Sequence, residues 1–254
     1  MHGIARSMLK NENATLNDLV LHIRQKGYKH IHFGGLFSCK SILSDLEEFL
    51  QLLNSTSIKC DYKISTSIDT NFDAENHWGF IETIDISKVD NLEPKKPYIN
   101  DVDSKLWKVF KYIDFGLFND LECRMMAGGY SDLESSLQIL SKYFRKAIMA
   151  TRGEKGVLGM HNGSNSFFNF DSLNVSVVDA TGAGDCFNAG FIFNYILNKN
   201  ETQNEFELIE KSAQYGCYAG SLGVTRMGAS DIPITFADIE DLVCANNSSK
   251  KIKM

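Results

Sequence analysis

No run of 18 apolar residues occurs in this 254-residue chain, so no membrane span is expected. The opening stretch, MHGIARSMLKNENATLNDL, lacks the apolar centre of a signal peptide. Basic charge is not in excess either, since 26 basic and 32 acidic side chains leave a net charge of −6. That argues against a general nucleic-acid surface, which needs clustered lysine and arginine. It does not exclude a small anion held by backbone dipoles. The six cysteines, at positions 39, 60, 123, 186, 217 and 244, form no C-x-x-C pair. Scattered thiols fit a reducing compartment, and a cytoplasmic setting is expected. Sequons such as Asn54-Ser55-Thr56 carry little weight without an export signal. There is no internal repeat, no low-complexity tract and no G-x-x-x-x-G-K-[ST] loop. Of only three prolines, Pro94 and Pro97 fall in a polar stretch, 85 to 105, that reads as an extended surface insertion.

What is present is enough chain for one large α/β domain or two small ones. YKHIHFGGLF (28 to 37) reads as a short buried strand ending in a Gly34-Gly35 turn. His30 and His32 share one face of it, but no third metal ligand is near, and catalytic zinc usually needs three. SILSDLEEFLQLL (41 to 53) has Leu43, Leu46, Phe49, Leu50 and Leu53 at helical spacing. KCDYKISTSID (59 to 69) then returns as a strand, giving the βαβ grammar of a parallel sheet. YIDFGLFNDLECRMMAGG (112 to 129) reads as strand, helix and a Gly128-Gly129 stop. SDLESSLQILSKYF (131 to 144) is an amphipathic helix opened by Ser131 or Asp132, with Ser131 and Glu134 at capping-box spacing. KAIMATRGEKGVLGM (146 to 160) gives two short strands around Arg152-Gly153-Glu154-Lys155-Gly156. SAQYGCYAGSLGVT (212 to 225) is a helix rich in small residues. Around Gly216 those residues allow either close packing of helix on sheet or close approach of a ligand. The tail NNSSKKIKM is expected to fray.

The chemistry concentrates in VVDATGAGDCFNAGF (177 to 191). The stretch before it, LNVSVV, favours the β pleat, and Phe187, Phe191 and Tyr195 after it form an i, i+4, i+8 helical stripe. Gly182, Ala183 and Gly184 therefore sit at a strand-to-helix turn. Such a turn aims successive N–H groups and the positive end of the helix dipole at one point, suited to phosphate. On the plainer reading the glycines only tighten a turn and Asp185 caps the helix. Two carboxylates flanking the turn, Asp179 and Asp185, with the Thr181 hydroxyl between them, point to divided labour. One organises a cation or the loop, and the other takes a proton from an attacking hydroxyl. Phosphoryl transfer needs that combination.

DATGAGDCFNAG closely resembles the C-terminal signature of the ribokinase-like (PfkB) family of carbohydrate and nucleoside kinases. The resemblance implies an α/β fold, a mostly parallel twisted sheet sandwiched by helices. It implies Asp185 as catalytic base, Gly182, Ala183 and Gly184 as anion hole, and Asp179 and Thr181 as ligands of a monovalent cation such as K⁺. Asn119 and Glu122 in FNDLECRMM resemble the family's N-x-x-E motif, tied to Mg²⁺ and phosphate placement; the plainer reading is a helix cap. ATRGEKG resembles the segment beside the nucleotide phosphates, which makes Thr151, Gly153 and Gly156 candidates for ATP contact. GVTRMGAS (223 to 230), with Gly228, resembles the loop near the adenine and the cation. DTNFDAENHW (69 to 78) resembles a D-x-N-x-R…W segment, except that Asp73 replaces the usual basic residue. Gly34, Gly35 and Asn71, with Asp185, are the candidates for holding the accepting molecule.

ARSMLKNENATLNDL resembles the part of the family that follows the lid. The whole chain is thus expected to be a single ribokinase-like domain, 1 to 254, incomplete at its N-terminus, without the first strands and most of the lid. The implied activity is ATP-dependent phosphorylation of a sugar or nucleoside hydroxyl, with Mg²⁺ and K⁺. Neither nucleic acid nor membrane is an expected partner, and a homodimer is the implied assembly of the full-length form. The rival expectation is a nucleotide-binding but catalytically silent fragment or isoform. A structural α/β module without a ligand would require all the motif agreement to be chance.

Overall fold

The computed structural model describes residues 8–35, 40–55, 62–71, 106–128, 132–228 and 234–251. The expected insertion at 85–105, Asp73 and Ser131 lie outside them. Among the described residues six strands form one sheet in the order β1-β2-β3-β4-β5-β6. The pairs β1–β2 and β2–β3 are parallel, as the βαβ reading requires. The chain divides into two compact units, Met1–Ile148 with Met160–Asn165 and Met149–Gly159 with Ser166–Met254.

In the first unit, α1 (Leu16–Gln25) opens on a capping box. The Thr15 hydroxyl accepts from the Asp18 amide, and the Asp18 carboxylate accepts from the Thr15 amide at 2.8 Å. Leu16, Leu19, Val20 and Ile23, at i, i+3, i+4 and i+7, are buried. After β1 (His30–Phe33), α2 (Lys40–Asn54) buries Leu46, Phe49, Leu50 and Leu53 in the same pattern. The strand β1 is half-buried along its length, not buried as expected. Its partner β2 (Ser65–Ile68) is buried throughout although three of its four residues are polar. Histidine explains this. The His30 ring meets the Ser65 and Ser67 hydroxyls, each at 2.8 Å, and His32 Nδ1 meets Ser67 at 2.7 Å. The two histidines thus satisfy buried hydroxyls on the neighbouring strand.

The short α3 (Leu106–Phe110) precedes β3 (Phe115–Asn119) and α4 (Asp120–Met126). Phe110, Phe118 and Phe144 form an aromatic cluster, with centroids 4.8 Å apart for Phe110–Phe144 and 5.7 Å for Phe118–Phe144. Gly116 leaves the space for it, because a Cβ there would lie 2.5 Å from Phe118 and 2.7 Å from Phe144. Helix α5 (Leu133–Leu140) is capped by Asp132, whose carboxylate accepts from the Glu134 and Ser135 amides. It then tightens into a 3₁₀ turn, Ser141–Tyr143, so it is shorter than its apolar spacing indicates.

In the remainder, β4 (Ala147–Thr151) and β5 (Val157–His161) flank a 3₁₀ turn, Gly153–Lys155, as expected. The strand β6 (Phe167–Phe170) follows. LNVSVV, expected as a strand, is not one. Val177 and Val178 are 66% and 54% exposed, and the Val178 amide bonds the Val224 carbonyl rather than a strand. Helix α6 (Ala183–Asn198) buries Phe187, Phe191 and Tyr195, the expected stripe. It packs against α7 (Glu205–Gly223), which begins before the expected boundary at an Asn204 cap. Contact is close because the residues are small. A Cβ on Gly190 would lie 2.6 Å from Ala219, and one on Gly216 2.9 Å from Phe187. The glycine-rich helix thus packs closely on another helix, and its Cys217 thiol also reaches the Phe170 carbonyl of β6 at 3.7 Å, so close packing is the alternative that holds. Helix α8 (Phe236–Lys251) includes most of the tail expected to fray.

Candidate active site

Parallel strands deliver their C-terminal ends to one edge, and in the first unit the candidate residues gather there. Gly34 and Gly35 follow β1, Asn71 follows β2, and Asn119 closes β3. A Cβ on Gly35 would stand 3.5 Å from the Asn71 amide nitrogen, so these two candidates are neighbours. Asn71 is left-handed, at φ 57°, and its N–H donates to Asp69 Oδ1 at 2.9 Å. This Asx turn lets asparagine adopt a conformation usually reserved for glycine.

Asn119 and Glu122 make a reciprocal cap on α4. Glu122 N–H donates to Asn119 Oδ1 at 2.8 Å, and Asn119 N–H donates to Glu122 Oε2 at 2.9 Å. The plainer reading of this pair is therefore correct as geometry. Glu122 is also buried, and its pKa is raised to about 7. Burial is the main cause and the charge of Asp69 the second, opposed by the hydrogen bonds from Asn119. Asp69 was not a sequence candidate. It is 8% exposed and directly follows β2, beside the strand that leads to Glu122, so two carboxylates converge. The D-x-N spacing of an Asx turn was the available signal. One or two carboxylates suffice for Mg²⁺, which keeps waters and takes its remaining ligands from phosphate. Asp69 and Glu122 fit that ion.

In the second unit, α6 starts inside the glycine motif. Gly182 is the N-cap, at φ 76°, and offers no side chain to the helix. Ala183, Gly184 and Asp185 occupy the first turn; the Ala183 N–H donates to the Ala180 carbonyl at 3.2 Å, and those of Gly184 and Asp185 have no acceptor within the helix. Asp185 is thus not the cap; it is exposed, on the third helical residue. A Cβ added to Gly184 would meet nothing within 4 Å, so the space over these amides is open. They border a cleft of about 890 Å³ that also takes in Thr151, Gly153 and Gly156. The strand-turn segment and the glycine turn, far apart in sequence, therefore share one cleft. Asp185 lines a second cavity, of about 630 Å³, with Arg226 and Gly228. Gly216 lines neither, because Phe187 covers it.

Asp179 ties the turn together. Its carboxylate accepts from Thr181 N–H at 2.9 Å and from Gly228 N–H at 3.0 Å, and also from the Thr181 side chain. These hydrogen bonds, led by the Thr181 amide, hold its pKa below the usual value. An ionised carboxylate has about four acceptor positions. Such a carboxylate, held beside a backbone turn, fits a monovalent ion of the kind the motif implies. Asp179, Thr181 and Gly228 are brought together as expected.

A mostly parallel sheet flanked by helices, with a helix N-terminus that has no side-chain cap beside a cleft, defines an α/β protein of the ribokinase-like class. The sequence profile of pfkB family carbohydrate kinases matches residues 62–235, and the chain belongs to that family. A cytidine kinase of Thermococcus kodakarensis is 35% identical over 104 residues, 40% of this chain and 36% of that protein. A ribokinase of Haemophilus influenzae is 28% identical over 140 residues, 53% of this chain and 42% of that protein. Among solved structures, a fructokinase of Vibrio cholerae with fructose, ADP and calcium superposes with a TM-score of 0.61 at 17% identity. That match covers 84% of this chain and 60% of the fructokinase. A double mutant of the fructokinase was solved with fructose, ADP and potassium. The chain spans less than half the length of the two curated relatives it matches here. No helix among the described residues is long and apolar enough to cross a membrane.

Proposed function

We propose that this chain carries out ATP-dependent transfer of a phosphoryl group to a hydroxyl of a small sugar or nucleoside. The observation that carries this reading is the cleft shared by Thr151, Gly153, Gly156, Ala183 and Gly184, at the N-terminus of α6, where the Gly184 and Asp185 amides have no acceptor within the helix. Those amides stabilise charge on the transferring group, as preorganised donors do wherever negative charge builds up. Asp185 takes the proton of the accepting hydroxyl as its oxygen bonds the γ-phosphorus. The bond from that phosphorus to ADP breaks, and ADP leaves. Asp69 and Glu122 would hold Mg²⁺, and Asp179 with Thr181 would hold K⁺. The metal, when bound, neutralises phosphate charge. Gly34, Gly35 and Asn71 contact the acceptor.

A second reading, nucleotide binding without turnover, is favoured by one fact: the chain covers 60% of the fructokinase it superposes on. The two are separated by purifying residues 1–254 and measuring ATP–Mg binding by calorimetry and ADP release with a panel of sugars and nucleosides. Acceptor-dependent ADP release that Asp185→Asn abolishes supports transfer. Binding without release on any acceptor supports the silent reading, and absence of ATP binding overturns both.

A further inference from the structure

The cleft at the N-terminus of α6 has a cation in its wall that phosphoryl transfer, as proposed, does not employ. Arg152 directly follows β4 and lines the cleft of about 890 Å³ together with Gly153, Gly156, Ala183 and Gly184. Its guanidinium is held at one nitrogen. Nη2 donates to the Lys155 carbonyl at 2.8 Å and to the side-chain oxygen of Asn169 on β6. These bonds brace the turn against β6, which is the plain structural role of the side chain.

They do not use up the group, because arginine carries five N–H donors in a planar fork. Nε is buried and makes no hydrogen bond. Nη1 makes none either, and it is not buried. Glu154 and Asp171 line the same cleft, yet among the described residues no carboxylate forms an ion pair with Arg152. The guanidinium also faces α7. Burial pushes the Cys217 thiol up to about 12, and the charge of Arg152 draws it back, with Asp171 opposing. Gly220 follows Cys217 by three residues, about 4.5 Å along the helix axis. A Cβ on Gly220 would lie 3.2 Å from the Ala183 carbonyl oxygen. Arg152 and the glycine turn thus border neighbouring parts of one face of α7.

We propose, on the reading of this cleft as the donor-nucleotide site, that Arg152 is a further binding residue in it, with Nη1 donating to an oxygen of the donor's phosphate chain. The Gly184 and Asp185 amides are neutral donors, suited to charge that builds up during transfer. A guanidinium adds a full charge, which holds the phosphate chain before and after transfer. Already fixed at Nη2, it loses little freedom when a phosphate binds.

The test titrates ADP, and separately adenosine, into the full chain by calorimetry. Arg152→Gln is expected to bind ADP roughly tenfold more weakly, as for a lost charge-assisted hydrogen bond, and adenosine within about twofold of the wild type. Arg152→Lys keeps the charge but cannot rebuild both Nη2 bonds; it is expected to bind ADP within about threefold of the wild type. A side chain that only braces the turn would weaken ADP alike in both variants, or adenosine as much as ADP, and either result overturns the proposal. Unchanged ADP affinity in Arg152→Gln overturns it as well, while leaving the cleft as the nucleotide site. A wild type that binds no ADP would overturn that reading and this proposal together.

Discussion

The Asp179 carboxylate accepts a hydrogen bond from the Gly228 backbone N–H at 3.0 Å, joining loops 49 residues apart. The Asp179 and Val178 amides both donate to the Val224 carbonyl at the end of α7. The segment entering the anion turn is thus fastened to the loop that follows the neighbouring helix. Asp179→Asn replaces the oxygen facing Gly228 with a donor and removes the charge. We expect K⁺ to raise turnover of the wild type over Na⁺ at equal ionic strength, and Asp179→Asn to lose that effect. Equal rates of the wild type in the two salts would remove the cation role. The depressed pKa of Asp179 has a further consequence. Its contribution is present above the unfolded carboxylate value of about 3.9 and is lost as pH falls through the lower folded value. Acid melts of the variant should therefore be flatter below about pH 4.

Glu122 has the opposite sign. Its folded pKa, about 7, lies above the unfolded value of about 4.3. Between those values the native state holds a proton that the unfolded chain has released, so stability falls as pH rises through this window. The effect is of order a few kcal/mol at pH 8. Glu122→Gln keeps an oxygen for the Asn119 amide and cannot ionise. We expect denaturant titrations to show the variant gaining on the wild type from pH 5 to pH 8. Parallel stability curves across that range would rule the assignment out.

Two glycines of one turn should behave differently. Gly153 and Gly156 both have positive φ, at 57° and 72°. A Cβ on Gly153 would meet nothing within 4 Å, whereas one on Gly156 would lie 2.0 Å from the Phe170 carbonyl oxygen. Gly153→Ala should cost only the conformational term, about 1–2 kcal/mol. Gly156→Ala must also displace backbone, and we expect at least twice that loss. Urea melts of the two variants make the comparison, and equal losses would contradict the packing seen here.

Asp185 is exposed in the first turn of α6 and makes no hydrogen bond or ion pair among the described residues. Removing its charge should therefore leave the fold intact. In an active preparation, Asp185→Asn should lower kcat by roughly a hundred- to ten-thousandfold, the range for a lost general base. The dissociation constant for ATP should stay within a few-fold. Turnover close to wild type would end its assignment as base.

Much of the framework was legible in the residue pattern because it depends on neighbours in sequence. The i, i+4, i+8 stripe of Phe187, Phe191 and Tyr195 is a buried helix face wherever that helix packs. The small residues at 182–184 cluster where a helix must begin without a side-chain cap. The Asn119–Glu122 pair needs only three residues of chain to close its cap. Other features depended on distant partners. LNVSVV has every local reason to be a strand, yet β propensity is realised only beside a partner strand, and Val178 meets the end of a helix instead. Asp69 shifts Glu122 only because β2 and β3 lie side by side in parallel. His30 and His32 lacked a third metal ligand in the sequence, but only the register, which sets Ser65 and Ser67 opposite them, showed what they do instead. Short-range pattern thus determined the helices and the anion turn, whereas strand register and helix packing decided pKa values, pairings and pockets, since those are set by distances through space.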